Sequence, residues 1–273
     1  MACGGTAAEN TPPALVISDA VSAVQVVVAA NDFEVGQPRI PVIFYDGANQ
    51  AADIQAVEIS VYDTSQEPPL VVWTGPATTY RDYTVPYWVF QPTLDRPGMW
   101  GILATATLAN GQTAEQRFSI MVEEQPRSLL IGQPAIPSQN RTQATHPDLK
   151  LLSSAAEPNP ALYQLTVAEA LENGLPTVIS FTTPAFCQTA ICAPVLDSVE
   201  AVQAQYDGRA NFIHLEIFKE FNPLVTADEV LEWDLPSEPW TFVVGRDGLI
   251  RARLGGPVSP QELAEWVELV VSE

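Results

Sequence analysis

The stretch TVISFTTPAFCQTAICAPVLDSVEAVQAQY, residues 177–206, decides the fold of the second half of the chain. Its first five residues form a short, largely apolar and β-branched run, which predicts a buried strand. A turn around Pro184 follows. An Ala-rich apolar pattern then predicts a helix up to Tyr206, so we expect strand, turn and helix in direct succession.

Two of the chain's three cysteines lie in this stretch. We expect Cys187 where the turn meets the helix, and Cys192 within the first turns of that helix. Unpaired N–H groups and the positive end of the dipole at a helix N-terminus favour thiolate over thiol. The pair therefore predicts thiol chemistry, with Cys187 as the more reactive sulfur.

Length and composition limit the classes of protein. A chain of 273 residues exceeds what one small core usually needs, so we expect two domains. A formal net charge of −21 argues against nucleic acid or an anionic membrane surface as a partner. No apolar run is long enough to span a bilayer, and a surface of neutral polar residues and carboxylates is typical of extracytoplasmic proteins.

The third cysteine, Cys3, lies in MACGGTAAENTPP, which we interpret as an N-terminal tether over residues 1–13. A cysteine followed by Gly-Gly and a polar segment resembles the start of a mature bacterial lipoprotein, although the usual apolar segment before the cysteine is absent. The resemblance implies lipidation of Cys3 and, through that anchor alone, an attachment to the membrane. The alternative is an incidental cysteine in an N-terminal tail.

Residues 14–124 are predicted to be all-β. Alternation is clearest in QAVEISVYD, where Val57, Ile59 and Val61 share one face. Asn110-Gly111 and Asp46-Gly47 predict turns. Short strands at this spacing indicate an immunoglobulin-like sandwich without an internal cysteine pair. The candidate strands are 14–19, 24–30, 39–45, 55–63, 70–73, 88–91, 101–108 and 114–122.

Residues 125–160 are rich in proline and are predicted to be an extended linker. Residues 161–273 then predict the element order α, β, α, β, α, β, β, α. Three of these helices start at N-cap signals, which are Thr166 with Glu169, Thr226 with Glu229, and Ser259 followed by Pro260. The remaining elements are a strand at 211–218 and a hairpin that turns at Asp247-Gly248.

This order and three motifs resemble the thioredoxin fold. CAPVLDSVEAV is similar to the active-site helix of that family, with its kinking proline at Pro194. SEPWTFVVGRDGLIRARLGG is similar to the cis-proline strand and hairpin, with Pro239 as the cis-proline. VISFTTPAFC resembles the strand and turn that deliver the reactive cysteine, and TPAFC followed by a second cysteine is similar to thioredoxin-like domains of bacterial envelope proteins.

The resemblance implies a catalytic pair, Cys187 and Cys192, with Pro184, Glu238, Pro239 and Trp240 as active-site neighbours. Two features depart from the family. Four residues separate the cysteines instead of two, and Ser180 replaces the buried carboxylate. Residues five apart on a regular helix have Cα atoms about 8–9 Å apart, beyond the ~7 Å limit for a disulfide, so a bridge needs Cys187 outside the helix or an unwound first turn.

Glu238 precedes the expected cis-proline, where the resemblance implies that a side chain faces the reactive sulfur. A carboxylate there would raise the pKa of Cys187 and outweigh the helix dipole, which would make Cys187 a sluggish thiol. The alternative is that Glu238 faces solvent.

Several functions stay open. The favoured one is thiol–disulfide exchange in the bacterial envelope, with a thiol or disulfide protein or small molecule as partner and no bound cofactor. Five-apart cysteines also resemble one branch of the peroxiredoxins, but Pro184 occupies the place of their peroxide-orienting threonine, and Thr183 stands one residue before it. A static disulfide in a binding module is a third possibility. A copper site would need a histidine, and His214 is instead expected to be a buried hydrogen-bonded residue or a partner of Glu216.

Overall fold

The computed structural model of the protein describes residues 24–51 and 53–273. Cys3, the tether and the predicted strand at 14–19 lie outside the described residues. The described part is mostly β-structure, with a β-sandwich followed by a mixed sheet that carries helices on both faces. No helix within it is long and apolar enough to cross a membrane.

The sandwich consists of two facing sheets. One has the order β1–β3–β8–β7, with β4 paired to β3, and the other has the order β2–β10–β9–β5–β6. The strands are β1 (Gln25–Val28), β2 (Phe33–Glu34), β3 (Ile40–Asp46), β4 (Asn49–Gln50), β5 (Ile54–Asp63), β6 (Leu70–Pro76), β7 (Thr78–Tyr80), β8 (Tyr87–Phe90), β9 (Gly98–Leu108) and β10 (Thr113–Glu123).

Alternation along β5 places Val57, Ile59 and Val61 in the core between the sheets, as their spacing predicts. The β9–β10 hairpin turns at Asn110-Gly111, where Gly111 has a φ of 81°. The sequence missed β2, β4 and β7, because strands of two or three residues are too short to show alternation.

The C-terminal sheet has the order β12–β11–β15–β16, in which β11 and β12 are parallel and the other pairs antiparallel. α2 and α4 pack on one face through a core cluster that includes Val199 and Val267, and α1 and α3 pack on the other through Ala170 and Trp233. The elements are α1 (Val167–Glu172), β11 (Thr177–Thr182), α2 (Cys192–Gln205), β12 (Asn211–Glu216), β13 (Phe218–Phe221), β14 (Leu224–Thr226), α3 (Asp228–Glu232), β15 (Trp240–Val244), β16 (Ile250–Gly255) and α4 (Pro260–Ser272).

Two of the three N-cap predictions are confirmed and one is wrong. Thr166 forms the capping box of α1 with Glu169, and the Ser259 hydroxyl accepts a hydrogen bond from the Glu262 N–H at the start of α4. α3 instead begins after Ala227 without a side-chain cap. Thr226 is not available for capping because it ends β14, which pairs with β13 in a short hairpin that the sequence did not predict.

The proline-rich residues 125–160 are packed against the C-terminal sheet. Pro134 forms a β-bridge with Leu249, and Ala135 donates its N–H to Gly248 at 2.9 Å. Ala135 and Leu152 are buried in the clusters on opposite faces of the sheet. This segment therefore contributes side chains to the C-terminal core.

A buried ion pair joins the sandwich to α4. The Arg39 guanidinium donates to both carboxylate oxygens of Glu262 at 2.6 and 2.8 Å, and the Tyr87 hydroxyl donates to the same carboxylate at 2.5 Å. Arg39 also donates to the carbonyls of Gly255 and Pro257 at 2.7 Å. Both side chains are about 95% buried, so each charge depends on the other for its counter-charge.

Replacing Glu262 by glutamine is expected to lower the free energy of unfolding by about 3–5 kcal/mol, because it leaves the Arg39 charge buried without a counter-charge. Glu265→Gln, one turn later on the exposed face of α4, is the matched control and should change stability by less than about 0.5 kcal/mol. Urea unfolding of both variants measures the difference. An equal loss of unfolding free energy in the two variants would contradict a stabilising role for the buried Arg39–Glu262 pair.

Candidate functional site

Cys187 lies in a loop and not at a helix start. β11 ends at Thr182 and α2 begins at Cys192, so the prediction that the helix starts at Cys187 is wrong, whereas Cys192 lies in the first turn of the helix, as predicted. The N–H of Cys187 donates to the carbonyl of Thr183 at 3.1 Å, which closes a turn before the helix can start. Cys187 therefore stands outside the regular helix, which a Cys187–Cys192 disulfide requires.

Ala190 turns the loop back toward the start of α2. Its φ of 58° lies in the left-handed region, which costs a residue with a Cβ roughly 1–2 kcal/mol. Such strain persists only where surrounding contacts hold it. Here Ile191, the next residue, is 4% exposed and packs against the sandwich. The reversal brings the Cys192 side chain within hydrogen-bonding reach of Cys187.

The two free thiols have different environments. Cys187 is half-buried, and its pKa is lowered to about 5, chiefly because the Cys192 thiol donates a hydrogen bond to its sulfur, against the opposing effect of burial. The Thr189 hydroxyl, 3.2 Å from the same sulfur, adds to the lowering. Cys192 is fully buried, and its pKa is raised because its proton is held by Cys187 and because burial disfavours a charge. The pair at neutral pH is thus a thiolate and a thiol.

Glu238 is half-buried and stands close to both sulfurs. Burial and the Cys187 thiolate raise the pKa of Glu238, and the Glu238 carboxylate in turn contributes to the raised pKa of Cys192. The expectation that Glu238 makes Cys187 a sluggish thiol is nevertheless wrong. The interactions with Cys192 and Thr189 lower the pKa of Cys187 below its ordinary value, and the repulsion between Glu238 and Cys187 instead raises the pKa of Glu238.

The remaining expected neighbours lie at different depths. The Glu238–Pro239 peptide bond is cis, as the resemblance implied. Pro184 lies in the turn before Cys187 and is partly exposed. Trp240 points away into the core, where it is 2% exposed and stacks on Phe242 at 5.7 Å. Pro194 is the third residue of α2, a first-turn position that needs no backbone N–H partner, so it does not kink the helix.

Buried polar groups lie behind the loop. The Ser180 hydroxyl is 3.1 Å from that of Thr241 in the core. His214 contacts the Tyr163 hydroxyl at 2.7 Å and the Thr182 hydroxyl at 2.8 Å, and burial lowers its pKa to about 4, so it is a neutral, hydrogen-bonded core histidine. Within residues 24–51 and 53–273, no group of three or more His, Cys, Asp or Glu side chains is arranged to hold a metal ion.

The sequence predicted Glu216 only as a partner of His214 and missed its contact with the segment before Cys187. Glu216 is 5% exposed at the end of β12, and burial raises its pKa. Its carboxylate accepts hydrogen bonds from the N–H and the hydroxyl of Ser154, both at 2.8 Å. The Ser154 hydroxyl accepts in turn from the N–H of Ala185 at 3.1 Å. Glu216 therefore anchors the turn that carries Cys187, through a residue from the proline-rich segment.

The sandwich covers the other side of the loop. Ile191 is buried in a cluster of sandwich side chains that includes Ile43, Tyr80 and Tyr87, and Cys187 packs at its margin. The aromatic stretch at residues 80–90 is consequently core and interface packing. No sequence signal connects these residues to Ile191, since they lie roughly a hundred positions apart.

No family model matches this chain, and no curated protein is similar to it. Among solved structures, a thioredoxin-family thiol:disulfide interchange protein from Chlorobium tepidum TLS is 17% identical over 43% of this chain and 99% of its own, with a TM-score of 0.32. CopC from Methylosinus trichosporium OB3b is 17% identical over 38% of this chain and 94% of its own, with a TM-score of 0.28.

Removing the Cys192 donor should raise the pKa of Cys187. In a Cys3→Ser background, the iodoacetamide alkylation rate of Cys187 follows its thiolate fraction, with a midpoint near pH 5. Cys192→Ala should move that midpoint upward by more than one pH unit, toward the ordinary value of about 8.5. Thr189→Ala, which removes the weaker donor, is the control and should move it less. A midpoint unchanged by Cys192→Ala would contradict this assignment.

Proposed function

We propose that this protein is a thiol–disulfide oxidoreductase in which Cys187 is the nucleophile and Cys192 the resolving thiol. The observation that carries the proposal is the half-exposed Cys187 thiol, which has the Thr189 hydroxyl 3.2 Å from its sulfur and the buried Cys192 thiol beside it, so that its pKa is lowered to about 5. A thiolate is the attacking species in disulfide exchange, and only Cys187 of the pair has both the charge and the exposure for it.

The reaction proceeds in two exchanges. The Cys187 thiolate attacks one sulfur of a substrate disulfide, so that a Cys187–substrate S–S bond forms and the other substrate sulfur leaves as a thiolate. Cys192 then loses its proton and attacks Cys187 Sγ, which forms the Cys187–Cys192 disulfide and releases the second substrate sulfur. The substrate disulfide gains two electrons and the cysteine pair loses them; the pair also releases to water the one proton that Cys192 held, and the substrate thiolates take up protons from water according to their own pKa values. The reverse sequence oxidises a dithiol substrate.

The hydrogen bond also sets the order of these steps. While Cys187 is a thiolate, it holds the proton of Cys192 and keeps that thiol unreactive. When Cys187 becomes a mixed disulfide, its negative charge is gone and it is a weaker acceptor. The pKa of Cys192 then falls, and the resolving thiol is released for attack only after the substrate is bound covalently.

A thiol peroxidase is the second candidate, because a low-pKa cysteine beside a resolving thiol also suits reduction of a peroxide. Disulfide exchange is favoured because Pro184 brings no hydroxyl to the turn, and the Thr183 hydroxyl is fully buried. Hydrogen peroxide should therefore oxidise Cys187 no faster than it oxidises a free thiolate, whereas a true peroxidase would react orders of magnitude faster.

We further propose two domains, an immunoglobulin-like one over residues 14–124 and a thioredoxin-like one over residues 161–273, joined by residues 125–160.

The proposed site of action is the cell envelope, with lipidation of Cys3 as the anchor. What supports this is the sequence at residues 1–13. Mass spectrometry of Cys3 in protein made with a lipoprotein leader tests it, since an unmodified Cys3 would remove the anchor.

Cys192→Ser should trap substrates as mixed disulfides through Cys187, because the second exchange is blocked. Cys187→Ser, the matched control, should trap none, and in the unsubstituted protein mild oxidation should join Cys187 to Cys192 while Cys3 stays outside the bridge. Non-reducing gels and peptide mapping measure both.

At pH 7 Cys187 should alkylate at least tenfold faster than Cys192. Equal alkylation rates, or substrate trapping through Cys192, would reverse the roles of the two cysteines.

A further inference from the structure

A cavity of about 470 Å³ lies between the sandwich and the thiol loop. One wall is formed by β1 and the residues that follow it, together with Ile43 and Tyr45 of β3, and the other by the loop after Cys187 and by Glu238. The cavity borders the reactive sulfur through Thr189, whose hydroxyl is 3.2 Å from Cys187 Sγ. The cavity therefore lies beside the reactive sulfur, and the sandwich helps to enclose it.

The two walls are held in a fixed relation. The Ser237 hydroxyl donates to the side-chain oxygen of Asn31 at 2.9 Å, which connects one wall to the other. Gly256 donates its N–H to the carbonyl of Pro239 at 2.9 Å, and any Cβ at Gly256 would overlap the Ala29 carbonyl oxygen. With Ile191 buried in the sandwich, these contacts make the cavity a preformed cleft.

The walls differ in chemistry. The sandwich side is apolar and presents Val27, 48% exposed, beside Ala29 and Ile43. Glu238 is the one charged residue that lines the cleft among the residues the structure describes. Small thiols fill only part of a space of this volume and leave most of the apolar wall wet. Apolar side chains that cover it displace that water favourably, and a cation beside the reacting sulfur pairs with Glu238.

We propose that this cleft is the recognition site for a peptide substrate, and that β1 and β3 of the sandwich form the wall that selects among substrates. The occupant is an extended segment of another protein whose reactive cysteine has a lysine or arginine next to it and an apolar residue nearby. Small acidic thiols are disfavoured as partners, because both Glu238 and the net charge of −21 repel them. The inference rests on the proposed function and names its substrate class.

Synthetic peptides test it with the full-length protein at pH 8. Each carries a single cysteine as its mixed disulfide with thionitrobenzoate. In the exchange Cys187 bonds to the peptide sulfur, the old S–S bond breaks, and thionitrobenzoate leaves as a coloured thiolate. One peptide has lysine and leucine beside the cysteine, a second has glutamate for the lysine, and a third has serine for the leucine. Bis(2-hydroxyethyl) disulfide, neutral and small, reports the exchange chemistry alone.

The lysine peptide should react about five- to tenfold faster than the glutamate peptide. Glu238→Gln should reduce that ratio to below twofold, and the ratio cancels any change in the reactivity of Cys187 itself. Val27→Asp should lower the leucine-to-serine rate ratio at least threefold. Val71→Asp is its matched control, since Val71 is a strand valine of similar exposure, 46%, on β6 outside the cleft, and it should leave the ratio unchanged.

Equal rates for all three peptides, or a lysine preference that survives Glu238→Gln, would overturn the inference while leaving disulfide exchange intact. If none of the three peptides reacted with Cys187, and the neutral disulfide did not react either, the proposed function itself would be overturned. A Cys3–Cys187 disulfide in the monomer would show that residues 1–23 of the same chain occupy the cleft, which also overturns the proposal.

Discussion

The coupling of the Cys192 thiol to Cys187 Sγ is the interaction on which the site depends. It requires α2 to begin at Cys192, so that the intervening residues can fold back through the left-handed conformation of Ala190. In a regular helix the same two residues would be about 8–9 Å apart at their Cα atoms. The helix start thus converts an unusual cysteine spacing into a coupled pair, with one charged and one protonated sulfur.

That helix start is maintained from two sides. Ile191 is inserted into the aromatic cluster of the sandwich, and Glu216 holds the preceding turn through Ser154. The Arg39–Glu262 pair in turn fixes the sandwich to α4. Arg253 of β16 fixes it to the C-terminal sheet, since it donates to Asp32 at 3.0 Å and also pairs with Glu34. Stability of the whole chain and geometry of the thiol loop are therefore linked, because buried charges and the reactive loop share one interface.

Local patterns predicted much of this fold. Alternation located β5, the capping signals of Thr166 and Ser259 located α1 and α4, and the proline in SEPW located the cis bond. What the sequence missed depends on contacts between distant segments. The start of α2 follows from packing of Ile191 on Tyr80 and Tyr87, and the low pKa of Cys187 follows from a loop reversal that no periodicity encodes.

The reduction potential of the Cys187–Cys192 pair tests the account most directly. A thiolate stabilised to a pKa of about 5 stabilises the reduced form, so the pair should be more oxidising than thioredoxin. Equilibration of the Cys3→Ser protein in glutathione buffers, with the free thiols counted by mass-shift labelling, should give a potential between about −270 and −120 mV. A value below about −300 mV, typical of a structural disulfide, would contradict a catalytic role for the pair.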